Sequence, residues 1–200
     1  MKLAETYYMS SDVVALSKNL LGKYLFTCID GSTTSGYIVE TEAYNGVVDR
    51  ASHAYGNRIT GRTKTMFMQG GIAYVYLCYG IHEMFNIVTS VEGQPHAILV
   101  RAIQPIEGLD IMLHRRNMPA LKPNITSGPG SVAKALGISR KIDTVSLQGD
   151  TIWIEDRGLA FPDKDIAAVP RVGVSYAGED ALLPYRFYVK GNPYVSKPNK

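Results

Sequence analysis

The 200-residue sequence predicts a mixed α/β (α+β) fold, a single domain in which an antiparallel sheet is flanked by helices. Three observations predict it. Strand-like runs follow one another without regular intervening helices, which argues against a doubly wound βαβ arrangement. The turn chemistry between the first two runs, Asp30-Gly31, is that of a tight hairpin. The chain has no repeats or low-complexity segments, and 46% apolar content on this length suffices for one substantial core.

Taken in order, Ser10 or Ser11 is placed to cap a helix that carries Val13, Leu16 and Leu20 on one face and stops at Gly22. Strands are predicted at Lys23–Ile29 and Gly36–Tyr44, then at Ile72–Tyr79 and Ala97–Ile103. Helices are predicted at Pro105–Arg116 and Ser131–Leu136, the second preceded by the glycine-rich SGPGS and closed by Gly137. Asn117–Thr126, with Pro119 and Pro123, reads as a long loop. Late strands fall at Thr151–Glu155 and Tyr185–Lys190. No domain boundary is visible.

Several classes are excluded. No apolar run is long enough to span a bilayer. The N-terminus, MKLAETYYMSSD, is broken by Glu5 and serines and is no secretory signal, so a cytoplasmic location without membrane partners is expected. Cys28 and Cys78 lie in apolar runs without metal-binding spacing and read as reduced core thiols.

The formal net charge of +3 is mild, but its distribution is not. Arg50 to His82 contains no Asp or Glu and holds Arg50, Arg58, Arg62 and Lys64 with four tyrosines and His53. Ile111 to Ile142 is likewise free of acids and carries Arg115, Arg116, Lys122, Lys134, Arg140 and Lys141. Two such windows on an otherwise acidic chain predict a positive face for a polyanion such as nucleic acid.

Glu42 ends a strand beside this basic, aromatic stretch. Strand alternation sends Glu40, Glu42 and Tyr44 to one face and Tyr37, Val39, Thr41 and Ala43 to the other. Carboxylates two positions apart lie about 7 Å from each other. That suits a pair with a water between them, as in inverting glycoside hydrolysis, and equally suits two carboxylates facing solvent. Arg101 favours a site: it interrupts the apolar run ILVRAI and must find an anionic partner there. Tyr74 and Tyr76 share a strand face, which fits either packing or a stacking surface, and Tyr79 precedes Gly80 at a turn. Two fragments fail as motifs. His82-Glu83-Met84-Phe85-Asn86 lacks the second histidine of a zinc helix, and Gly56–Thr63 has Arg62 where a phosphate loop needs lysine. No metal, nucleotide or other cofactor is indicated.

The ordered set GYIVETEAY, His53, TMFMQGGIAYVYLCYGIHEMFNIV, ILVRAIQP, SGPGS, PRVGVSYAGE and LPYRFYVKGNPYVS, from Gly36 to Ser196, resembles the 3-methyladenine (alkyladenine) DNA glycosylase family. The resemblance implies a curved antiparallel sheet and a monofunctional enzyme without metal or cofactor. Its partner would be double-stranded DNA containing damaged purines, and a monomer suffices. By the same resemblance Glu42 is the general base and Arg101 holds the attacking water and the carboxylate. Tyr44, His53 and Tyr76 form the pocket that stacks on a flipped base. Asn86 rejects normal guanine, and Tyr79 takes the flipped nucleotide's place. Arg58, Met66, Gly130 and Ser131 lie where the family contacts the DNA backbone, although some relatives carry a Ser-Lys pair at the last two. Two other readings stay open: a module that binds damaged nucleic acid without turnover, and a hydrolase of free nucleosides.

Overall fold

Eight strands pair antiparallel throughout in the computed structural model, which describes residues 1–196. They are β1 (Tyr24–Ile29), β2 (Ser32–Tyr44), β3 (Ala73–Cys78), β4 (His82–Thr89), β5 (His96–Glu107), β6 (Ile152–Glu155), β7 (Ile166–Val169) and β8 (Arg186–Val189). The sheet runs β3-β4-β5-β2-β1-β6, and β8 pairs with both β2 and β7. It curls, and three α-helices flank it: α1 (Val13–Asn19), α2 (Leu109–Arg116) and α3 (Pro129–Leu136).

Strict alternation splits the sheet into two chemistries. Ala73 and Val75 of β3, Phe85 and Ile87 of β4, and Ile98, Val100 and Ala102 of β5 enter one apolar core with α1 and α3. Tyr74, Tyr76, Asn86, Leu99 and Arg101 alternate with them and line a cleft on the opposite face. Between Ile38 and Thr41 of β2 the pairing with β5 shifts twice, so Val39 and Arg101 each stand without a Cα partner in that pair. Irregularities of this kind interrupt the ladder locally, and here the interruption falls beside Glu40, Glu42 and Arg101.

Several elements depart from the sequence reading. The cap of α1 is Asp12, whose Oδ1 accepts the Ala15 amide at 2.9 Å, not Ser10 or Ser11. Pro105 begins no helix: β5 runs on to Glu107, and α2 starts after Gly108, whose φ of +73° makes the break. Proline is tolerated there because it pairs with Gly36 beside a register shift, where the ladder is already interrupted. β2 begins at Ser32, straight after the Asp30-Gly31 turn, where both residues have positive φ. β4 and β7 went unforeseen. The fragment His82–Asn86, read above only as a failed zinc helix, is the first half of β4.

Not every arginine of the second basic window is offered to solvent, although Lys122, Lys134, Arg140 and Lys141 are exposed. Arg115 donates to the carbonyls of Ala135 and Ile29, and Arg116 to those of Ile125 and Asn124. Both pin α2 to its neighbours, and Arg140 pairs with Glu83 at 3.3 Å. Charge segregation in sequence cannot distinguish a guanidinium on solvent from one that caps backbone carbonyls.

Candidate active site

A cleft of about 850 Å³ opens on the polar face of β3, β4 and β5. Two loops after β7 and β2, around Val172–Val174 and Ala51–His53, and the start of α3 complete its walls.

Glu42 lies behind three lining residues, Tyr44, Arg101 and Val172, with no solvent exposure, because β2 is flanked by β5 on one side and β8 on the other. Three groups fix the carboxylate. Oε1 accepts the Val172 amide at 2.8 Å and faces Arg101 Nη1 at 3.3 Å, while Oε2 accepts the Tyr44 hydroxyl at 2.9 Å. Burial pushes the Tyr44 hydroxyl pKa well up, with the Glu42 charge adding to it, so this hydroxyl stays a donor. Thr41 points the other way, to Ser17 at 3.0 Å, as alternation requires.

Arg101 bridges both carboxylates of β2. Its Nε donates to Glu40 Oε1 at 3.0 Å and its Nη2 to Ser196 Oγ at 3.3 Å. Burial works against its charge, but Glu42 and Glu40 outweigh that and raise its pKa. Neither arrangement proposed for the two glutamates is the one observed. Glu40 is fully buried, and its remaining lone pairs accept from Arg186 Nε at 2.6 Å, the Ser196 amide at 2.6 Å and the Ser196 hydroxyl at 2.8 Å. It serves as the counter-ion of two arginines. Strand alternation alone does not separate it from Glu42, two positions away in the same motif.

The aromatic wall stands beside Glu42. His53 presents its edge to Tyr76, with centroids 4.8 Å apart and planes at 76°, and its Nδ1 lies 3.0 Å from the Tyr74 hydroxyl. Tyr74, 2% exposed, lines the cleft and holds His53, a role the sequence did not reveal. Burial, and then the nearby Arg62 guanidinium, lower the His53 pKa, so its imidazole is neutral at pH 7. Arg62 itself lies over the Tyr76 ring, 5.6 Å from the centroid. It was read as one more basic residue, and no periodicity could have placed it in the pocket. Asn86, 3% exposed between β3 and β5, donates its amide to the carbonyls of Tyr74 and Met84. Its cross-strand neighbours are Tyr74 and Leu99.

Tyr79 projects from the β3–β4 hairpin, 89% exposed and with φ of +50°. A large non-glycine residue in the left-handed region is uncommon, and its cost is met here by the tight turn into Gly80. Arg58 is exposed in the segment leading to Arg62. Met66 lines the cleft, but its side chain is only 1% exposed and packs with Ala54, Tyr74, Val88 and Ala97. Gly130 and Ser131 line the cleft at the first turn of α3. A Cβ at Gly130 would lie 3.0 Å from the His82 ring, so His82 fills the space a serine would need.

Among the described residues no group of three or more His, Cys, Asp or Glu side chains is placed to hold a metal ion, and no helix is long and apolar enough to cross a membrane.

Comparison with known proteins agrees with this geometry. The family described as Methylpurine-DNA glycosylase (MPG) matches residues 7–193. A protein of Chlamydia felis is 46% identical over 188 residues, covering 92% of this chain and 94% of its own. One of Bacillus cereus is 45% identical over 199 residues, covering 95% and 97%. Both are named "Putative 3-methyladenine DNA glycosylase". With the match spanning nearly the whole chain, this protein belongs to the methylpurine-DNA glycosylase family.

Proposed function

We propose that the protein is a monofunctional DNA glycosylase. It flips alkylated or deaminated purines out of duplex DNA, with 3-methyladenine, 7-methylguanine, hypoxanthine and ethenoadenine as the substrate class. It then hydrolyses the N-glycosidic bond and starts base excision repair. One observation carries the reading: a buried carboxylate, Glu42, is held by an arginine and a backbone amide beside an aromatic cleft.

Each group has a physical task. The Glu42 carboxylate takes the proton of a water attacking the anomeric carbon. Arg101, tied to Glu40 and Glu42 together, keeps that carboxylate in one orientation. The buried negative charge also favours an oxocarbenium-like transition state at the sugar. Tyr44, His53 and Tyr76 sandwich the extruded base, a contact worth about 1–3 kcal/mol per base. An N3- or N7-alkylpurine is cationic, so it stacks more strongly on these rings and leaves more readily. Tyr79 fills the gap in the duplex, Asn86 screens the base edge against guanine, and Arg58, the Met66 main chain, Gly130 and Ser131 meet the phosphates.

The test is Glu42→Gln on a duplex with one hypoxanthine or ethenoadenine and on methylated bulk DNA. Base release should fall by at least about 100-fold, the scale of a lost general base, with lesion binding kept within a few-fold. Release at the wild-type rate would remove Glu42 from the chemistry. Loss of binding along with release would make it a structural residue.

A further inference from the structure

A second buried ion pair stands behind the site. Arg171 and Asp49, 122 positions apart, meet in a two-pronged contact, Nη1 to Oδ2 at 2.5 Å and Nη2 to Oδ1 at 2.8 Å. Their side chains are 0% and 1% exposed. Their further contacts reach three separate pieces of the active site. Arg171 Nη1 also donates to the carbonyl of Ala43, the residue between Glu42 and Tyr44. Its guanidinium lies 4.9 Å from the Tyr44 ring centroid and 5.3 Å from that of Tyr185. Asp49 accepts the amides of Asn45 at 3.0 Å and Ala51 at 2.9 Å, and so shapes the loop that delivers His53. Nη2 donates to the Asp180 carbonyl at 3.2 Å. The residue after Arg171 is Val172, whose amide holds Glu42 Oε1 at 2.8 Å.

We propose that the Asp49–Arg171 pair is a positioning element that sets the orientation of Glu42 through the Val172 amide and carries His53 on the same support. The proposal rests on Glu42 being the general base. A planar guanidinium is suited to this: its two Nη prongs are filled by Asp49 and it lies against two aromatic rings, so its orientation is fixed although the buried Nε has no hydrogen-bond partner. Chain stability alone would be served as well by an apolar pair of similar volume, since buried ion pairs rarely outperform one. Neither Arg171 nor Asp49 reaches the cleft, so neither touches substrate.

The experiment compares Arg171→Lys and Asp49→Asn with the wild type and Glu42→Gln. It uses single-turnover release from a hypoxanthine duplex between pH 5 and 9, with thermal midpoints taken alongside. Lysine keeps the charge but loses the fork, freeing the Val172 segment. A carboxylate that loses an amide donor is more easily protonated, so the acid limb of the profile should move up by about one pH unit. The plateau rate should fall by about 100-fold, the scale of a small misplacement at the reacting centre. An acid limb unmoved from the wild type overturns the proposal, whether or not the thermal midpoint drops, because a merely structural pair would change only the folded fraction. Should Arg171→Lys fail to fold, Asp49→Asn, which preserves shape, carries the same test. If Glu42→Gln still turns over normally, the reading of Glu42 fails first, and the two failures are distinct.

Discussion

Replacing Glu40 with glutamine removes the negative charge at the centre of a four-charge cluster. Glu40 and Glu42 balance Arg101 and Arg186, and all four side chains are at most 9% exposed. Without Glu40, two guanidiniums share the single charge of Glu42, and one positive charge is left buried without compensation. Breaking a buried pair in this way costs about 3–5 kcal/mol. Glutamine keeps an acceptor for some of the donors now aimed at Glu40, and its new amide hydrogens must point at groups that are themselves donors. The upper half of the range is therefore expected. For a chain of this length each kcal/mol is worth about 2–4 °C, so the thermal midpoint should fall by roughly 10 °C or more. Urea unfolding gives the free energy, and fluorescence of the single Trp153 on β6 reports it. Release should fall as well, because Arg101 loses the partner on its Nε. A midpoint within 2 °C of the wild type would refute the reasoning, for it would mean that water or other acceptors compensate the arginines.

Three further outcomes follow from the same geometry. Tyr79→Ala removes the exposed hairpin wedge and should weaken lesion-duplex binding by about tenfold or more without changing the thermal midpoint; equal affinity in a gel-shift or anisotropy titration would exclude a wedge. His53 and His96 have pKa values lowered by burial, with Arg62 adding to the effect at His53. The unfolded chain then binds more protons than the folded one, so their contribution to stability is complete above the ordinary value of 6.5 and is lost as pH falls through it towards the lowered values. Urea midpoints between pH 8 and 5 should decline, and less steeply in a His53→Gln/His96→Gln double variant; identical slopes would contradict this. No lysine lines the cleft among the described residues, so the abasic product should stay uncleaved until alkali is added, and strand cleavage by the purified protein would show an amine nucleophile.

Much of the sheet was legible from periodicity. The alternation in Gly36–Tyr44 put Glu42 and Tyr44 on one face and Thr41 on the other, as found. Pro129 and Gly137 bracket α3, and the anionic partner demanded by a lone arginine in ILVRAI is there, twice over. β4 was missed because its first residues, His82 and Glu83, are polar on a hairpin arm that enters the core only from Phe85 onward. Pro105 was misread because a proline in a strand is tolerable only beside an irregularity, and the register shift that makes it so depends on a partner strand some seventy residues earlier.

The sequence by itself determined which residues alternate, where the chain must turn, and the ordered motifs that mark the family. These are local properties, set by the two-residue pleat and by the few residues that accept a positive φ. Only the tertiary structure decided what each charge does. Glu40 and Glu42 are equivalent by strand alternation, yet one is enclosed by Arg186 and Ser196 and the other is held by Tyr44 and Val172, which line the cleft. Arg62 entered the pocket while Arg115 and Arg116 became pins for backbone carbonyls, and Arg171 met Asp49 from the far end of the chain. An ionic side chain's role depends on who surrounds it once water is gone, and those neighbours are brought together by folding, not by spacing along the chain.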